Sequence, residues 1–246
     1  MNEPVNLLWT GGWDSTFRLL YVLLVQKKTV QPYYVISSVR KSSEQEVQTM
    51  DKIKEGLFEK FPESKPLLLS TIFKKVTDIK ADDAITQQYK RLAAAQHLGN
   101  QYDFLARFAD EAGISNLELS IHKDDHAQKF LQAYVVKDGD SFRLQENPSY
   151  ADLKLFQHFR FPILEYTKLD MERIAVKHEF VALMNETVFC HTPLKNGKPC
   201  GECNPCRYTI AEGLKRRVPL ARRLRYDVIQ TIKPPVKFAL KLLHIR

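Results

Sequence analysis

Val5-Asn6-Leu7-Leu8-Trp9-Thr10-Gly11-Gly12-Trp13-Asp14-Ser15-Thr16 is the stretch that decides the fold class. Its first half, Val5 to Trp9, is a short apolar run of the kind that forms a buried strand. Gly11-Gly12 then turns the chain, since residues without Cβ reach backbone angles closed to others. From Ser15 to Val25 the residues Phe17, Leu20, Tyr21 and Leu24 fall at helical spacing. The same alternation continues outward. Tyr33 to Val39 reads as a strand, Ser43 to Phe61 as a helix with Val47, Met50, Ile53 and Leu57 on its apolar face, and Leu67 to Phe73 as a strand. Asp78 to His97 is polar and helix-prone. Asn100 to Ala112 is a helix with Gly113 suited to its C-cap, and Asn116 to His122 is a fourth strand. Strands alternating with helices predict an α/β fold, an open parallel sheet with helices on both faces. Beyond it, Asp138-Gly139-Asp140 reads as a hairpin turn, Asn147 to Asp152 as a loop and Leu169 to His178 as a helix. The expected organisation is an α/β domain over 1–160, a helical segment with all four cysteines over 161–214 and a basic tail over 215–246.

Composition narrows the class. With 246 residues, 44% of them hydrophobic, the chain can bury a sizeable core, which excludes a small disulfide-stapled scaffold and a disordered chain. No run reaches the roughly 20 apolar residues of a transmembrane helix. The first residues carry Glu3 where a secretory signal has basic ones, so a cytoplasmic location with reduced cysteines is expected. Net charge is +8, but from Lys215 to Arg246 ten Lys and Arg face the single acid Asp227, leaving −1 for the rest. Such a distribution points to a local contact surface rather than a protein charged all over for polyanion binding.

The turn Thr10-Gly11-Gly12-Trp13-Asp14-Ser15-Thr16 sits where open α/β sheets bind ligands, past the carboxyl end of a strand and at a helix N-terminus. Gly-Gly alone reads as a strand-to-helix turn, with Asp14 or Ser15 as a cap. The whole string resembles the pyrophosphate-loop motif Ser-Gly-Gly-x-Asp-Ser of ATP pyrophosphatases, with Thr10 in place of the first serine. It lacks the Gly-Lys-Ser/Thr of a Walker loop. The resemblance implies ATP held by Thr10 to Thr16, attack of a substrate oxygen on the α-phosphate and departure of pyrophosphate. Cys190, Cys200, Cys203 and Cys206 give C-x9-C-x2-C-x2-C. Four soft ligands suit a closed structural Zn2+ site, preferred over disulfides in a reducing compartment and over an iron–sulfur cluster, which spacing alone also admits.

The two signals in this order resemble the 7-cyano-7-deazaguanine synthase family, whose C-terminal module carries Pro-Cys-Gly-x-Cys-x-x-Cys, here Pro199 to Cys206. The chain is also similar to that family at Leu98 to Gln101, at Leu119-Ser120-Ile121-His122-Lys123-Asp124-Asp125 and at Pro162 to Asp170, so the resemblance spans about residues 5 to 214. It implies adenylation of a small-molecule carboxylate, 7-carboxy-7-deazaguanine in the family, then conversion with ammonia to an amide and a nitrile. Lys168, Asp14 and Ser15 become the catalytic candidates. Lys168 would steady the departing pyrophosphate, and Asp14 would hold a water of Mg2+ or cap its helix. Asp124 and Asp125 are candidates for contact with substrate or ions. One departure stands out: His126-Ala127-Gln128-Lys129-Phe130 occupies the place of the family's Tyr-Pro-Asp-Cys-Arg. It suits a relative that adenylates another carboxylate or joins a deazapurine to a protein or nucleic-acid acceptor, as relatives associated with phage defence do; a nucleotide-binding partner without catalysis is the contrasting alternative. The tail, with Arg216, Arg217, Arg222, Arg223 and Arg225 and then an amphipathic Val236 to Ile245, could dock on a protein, an anionic membrane or nucleic acid, and a homodimer remains open.

Overall fold

The computed structural model describes residues 3–37, 43–95 and 98–224. Along the chain come β1 (Val5–Leu8), α1 (Trp13–Leu20), β2 (Val30–Ile36), α2 (Ser43–Lys60), β3 (Ile72–Lys75), α3 (Asp83–Ala95), α4 (Gln101–Glu111) and β4 (Leu117–Glu118). They are followed by α5 (His126–Leu131), β5 (Val135–Asp138), β6 (Ser141–Leu144), β7 (Phe159–Arg160), α6 (Lys168–Lys177), α7 (Val181–Asn185) and α8 (Asn204–Thr209). The chain forms two compact units, Met1–Val188 and Phe189–Arg246. The sheet ends at Arg160, and the helices that follow it, α6 and α7, pack on α1 within the first unit.

All seven strands form one sheet in the order β3-β2-β1-β4-β7-β6-β5. β1 lies in its middle, parallel to β2 with Val5 opposite Val30 and parallel to β4 with Leu7 opposite Glu118. β3 and β7 are also parallel to their inner neighbours. The far edge departs from the expected all-parallel sheet, because β5 and β6 pair antiparallel and β6 runs antiparallel to β7. The cause is the Asp138-Gly139-Asp140 turn: Asp138 pairs with Ser141, and so tight a connection can only join antiparallel strands. Gly139 takes the positive φ of 63° that this turn requires.

Two other expectations shift. The strand foreseen over Leu67 to Phe73 begins only at Ile72, because Pro62–Leu67 is a 3-10 turn with Pro66 inside it, and Leu68 makes a lone bridge to Val30. The helix-prone stretch from Asp78 is helical only over Asp83–Ala95. The expectations at Val39 and His97, and those from Arg225 through the Val236 to Ile245 segment, lie outside the described residues. Gly113 closes α4 as foreseen, with φ of 64° and N–H bonds from Gly113 to Asp110 and from Ile114 to Ala109.

α1 is held down by more than packing. Phe17 and Leu20 are fully buried apolar residues, yet the same helix buries Arg18, 3% exposed, against Glu118 of β4. Nε and the terminal guanidinium nitrogen each lie 2.7 Å from a carboxylate oxygen, a bidentate pair a hundred residues apart in sequence. Removing either partner would strand a buried charge, so α1 and β4 are bound as one unit.

Candidate functional site

A strand order of 3-2-1-4 places a switch point beside β1, since the chain leaves toward β2 on one side and returns at β4 on the other. A crevice opens there past the carboxyl ends of the two strands, where α/β sheets receive ligands. Thr10, Gly12, Asp14 and Ser15 form one wall, and Gln101, Tyr102 and Leu105 from α4 and Leu119, Ser120 and Ile121 after β4 face them.

The loop is built for close approach. Gly11 has φ of 69°, and a Cβ there would come within 3.0 Å of the Glu46 carbonyl oxygen, so only glycine fits. Gly12 is the N-cap of α1 and brings no side chain to its first-turn N–H groups. Those donors, with the positive end of the helix dipole, favour an anion. The Thr10 N–H donates to Ser15 Oγ at 3.2 Å, and the two hydroxyls are also 3.2 Å apart, tying the turn to the helix. Thr16 and Trp13 point inward: the Thr16 hydroxyl accepts the Trp9 indole N–H at 3.0 Å, and Trp13 is 4% exposed. Of the seven motif residues, four therefore face the crevice directly.

Lys168 arrives at this loop from far along the sequence. Its Nζ lies 3.7 Å from Asp14 Oδ2, with its side chain 13% exposed. A lysine in the first turn of α6 opposes that helix's dipole, so its place is explained by what it faces rather than by helix stability. Two devices fix it. Thr167 caps α6, its hydroxyl and N–H donating to Asp170 Oδ2 while the Asp170 N–H donates back to Thr167 Oγ. The Lys123 N–H donates to the Tyr166 carbonyl at 3.0 Å, pinning the entry of α6 to the chain leaving β4. The Thr167 hydroxyl and N–H hold the Asp170 carboxyl down at about 2. Thr167→Ala is expected to cost about 1 kcal/mol at neutral pH. Because the folded value lies below the ordinary 3.8, that difference is full above 3.8 and shrinks as pH falls through about 2, which urea melts of both proteins at several pH values will show.

The sequence did not mark His122. It is 4% exposed, follows β4, and its Nδ1 stands 4.0 Å from the same Asp14 oxygen, so two basic side chains converge on one carboxylate. Asp14 Oδ1 and Ser120 Oγ are buried without hydrogen-bond partners among the described residues, and both belong to crevice-lining residues. Such orphaned atoms fit a polar ligand with its metal-bound water. The signal that could have found His122 is its place, just past the strand that neighbours β1. Asp125 also lines the crevice, and its carboxylate caps α5 by accepting the Ala127 N–H at 2.8 Å, whereas Asp124 is exposed.

The second unit contains a separate centre. The four sulfurs of Cys190, Cys200, Cys203 and Cys206 all lie within 4.8 Å of one another. Cys200 to Cys206 measures 3.9 Å and Cys190 to Cys203 3.8 Å. A tetrahedron with Zn–S bonds of about 2.3 Å has edges of about 3.8 Å, so the four thiols can hold a zinc ion. Backbone N–H groups of Glu202 and Cys203 point at Cys200 Sγ, each at 3.4 Å, as in a knuckle that stabilises thiolate charge. Gly201 makes that turn possible with φ of 79°, and a Cβ there would lie 2.6 Å from Arg222 Cβ. No family model matches the chain, and none of the curated proteins matches it significantly.

Proposed function

We propose that the protein binds ATP in the crevice between β1 and β4 and transfers AMP to a carboxylate, releasing pyrophosphate. The observation that carries this reading is the convergence of Lys168 on Asp14 at the uncapped first turn of α1. In the proposed step a carboxylate oxygen attacks the α-phosphorus, the bond to the bridging oxygen breaks, and pyrophosphate leaves with that electron pair. The N–H groups of the loop and the Ser15 hydroxyl hold phosphate oxygens, and Lys168 meets the charge that grows on the leaving group. The Lys168 ammonium, on a side chain only 13% exposed beside Asp14, is the compact cation this task needs. Asp14 and Ser120 suit a Mg2+-bound water, and the ion supplies charge neutralisation across the phosphates. The cysteine centre is read as structural Zn2+, because all four positions of a tetrahedron are filled by protein and none is left for a catalytic water.

The likeness to 7-cyano-7-deazaguanine synthases supports ammonia as the next reactant, giving an amide and AMP and then, with a second ATP, a nitrile. One observation favours a different carboxylate. The segment that replaces the family's Tyr-Pro-Asp-Cys-Arg is the capped helix α5, with Ala127, Gln128 and Leu131 buried, so it serves packing more than base recognition. The test is product analysis by mass spectrometry after incubation with Mg-ATP, ammonium and 7-carboxy-7-deazaguanine. Nitrile with AMP establishes the family reaction. AMP and pyrophosphate only when other carboxylates are supplied establishes the diverged relative. ATP bound without AMP from any carboxylate sinks the adenylation reading.

A further inference from the structure

The cysteine unit carries a surface that its metal centre does not explain. From Lys215 to residue 224 there are five basic side chains, Lys215, Arg216, Arg217, Arg222 and Arg223, and no acidic one. Among them stand two large apolar residues facing solvent, Leu220 at 62% exposed and Leu224 at 57%. They are four positions apart where the chain is helical, so they lie on one face. Arg217 is braced across the Phe189 ring at 4.9 Å, Arg222 lies 3.6 Å from Glu202, and Lys215 and Arg216 are exposed to solvent. The sequence continues in the same composition. From 225 to 246 it adds Arg225, Lys233, Lys237, Lys241 and Arg246 against Asp227 alone, interleaved with Val228, Ile229, Ile232, Val236, Phe238, Leu240, Leu242, Leu243 and Ile245.

We infer that this face of the cysteine unit docks on an anionic phospholipid surface, with the arginines and lysines at the headgroups and Leu220 and Leu224 inserted between them. Charge alone would serve nucleic acid equally well, but a phosphate backbone has no use for exposed leucines beside the cations. A membrane interface uses both, apolar burial and attraction to anionic headgroups adding together. No helix among the described residues is long and apolar enough to cross a membrane, so the contact is peripheral. The inference does not depend on the ATP reading, because none of the residues involved lines the crevice.

The test is co-sedimentation of the full chain with vesicles of phosphatidylcholine alone, with vesicles that also contain phosphatidylglycerol, and, in parallel, retention of a duplex oligonucleotide. Binding is expected to the mixed vesicles only and to weaken as salt is raised. Lys215→Gln with Arg216→Gln should weaken it roughly thirtyfold, the equivalent of about 1 kcal/mol of headgroup attraction for each of the two charges. Leu220→Asn with Leu224→Asn should weaken it about tenfold or more, with metal content and circular dichroism unchanged. Failure to bind the mixed vesicles overturns the inference. So does binding that the leucine variant leaves intact, or retention of the oligonucleotide in preference to vesicles, either of which would make the surface purely electrostatic.

Discussion

Lys168→Met is expected to lower the rate of pyrophosphate release by about 10²–10³-fold while leaving ATP affinity nearly unchanged. In the proposed step Lys168 meets the charge that accumulates on the leaving pyrophosphate, while the loop N–H groups would hold ATP at rest. Methionine keeps the length and the apolar stem and removes only the cation. The fold should largely survive, since the Lys168 pairing with Asp14 is long, at 3.7 Å, and methionine fills the same mostly buried space. Lys168→Arg keeps the charge but spreads it over a planar fork that the space beside Asp14 was not shaped for, so it should recover only part of the rate. Steady-state kinetics of the three proteins, with a coupled pyrophosphate assay, decide the matter. A methionine variant at the parental rate would remove Lys168 from the chemistry and leave it as a helix-entry residue.

The second large effect belongs to the cysteine unit. Cys206 is fully buried, and its sulfur lies 3.9 Å from that of Cys200. Cys206→Ser should reduce zinc from one ion per chain to none and leave the chain beyond Val188 open to protease. The scale is set by structural zinc, which contributes about 10–16 kcal/mol to small domains that fold around it. The first unit has its own core of Leu105, Phe108, Leu117, Phe156 and Phe159 and should still melt cooperatively. Elemental analysis with limited proteolysis reads both halves of the expectation. Stoichiometric zinc in the serine variant, or iron and a brown colour in the parent protein, would each show the centre to be something else.

These two sites were legible in the sequence to different degrees, for a physical reason. The glycine turn and the knuckle are local: the residues that shape them are neighbours in the chain, so Gly11, Gly12 and the Cys200 to Cys206 spacing announce them. Lys168 was found only through a resemblance, since by itself it is a lysine before a helix. Its meeting with Asp14 depends on the Lys123 to Tyr166 bond and the cap at Thr167, which no local pattern encodes. His122 needed knowledge of strand order, because a histidine after an apolar run becomes informative only once β4 is known to lie beside β1. The antiparallel edge was half legible. Its turn was plain in Asp138-Gly139-Asp140, but the flanking strands, with Val136 exposed and Lys137 beside it, have no clear alternation.

The Arg18–Glu118 pair also says when the crevice between β1 and β4 comes into being. The loop is made before the strand that comes to lie beside it, and the helix that follows it buries a guanidinium whose partner lies a hundred residues later. A nascent chain that has not reached β4 holds that cation without its carboxylate, which favours leaving α1 loosely docked over burying a lone charge. Contacts so distant in sequence form late, after the closure entropy of the intervening chain has been met. Folding thus delays the assembly of the crevice: the loop precedes its neighbour in sequence but gains its facing wall only when that strand arrives.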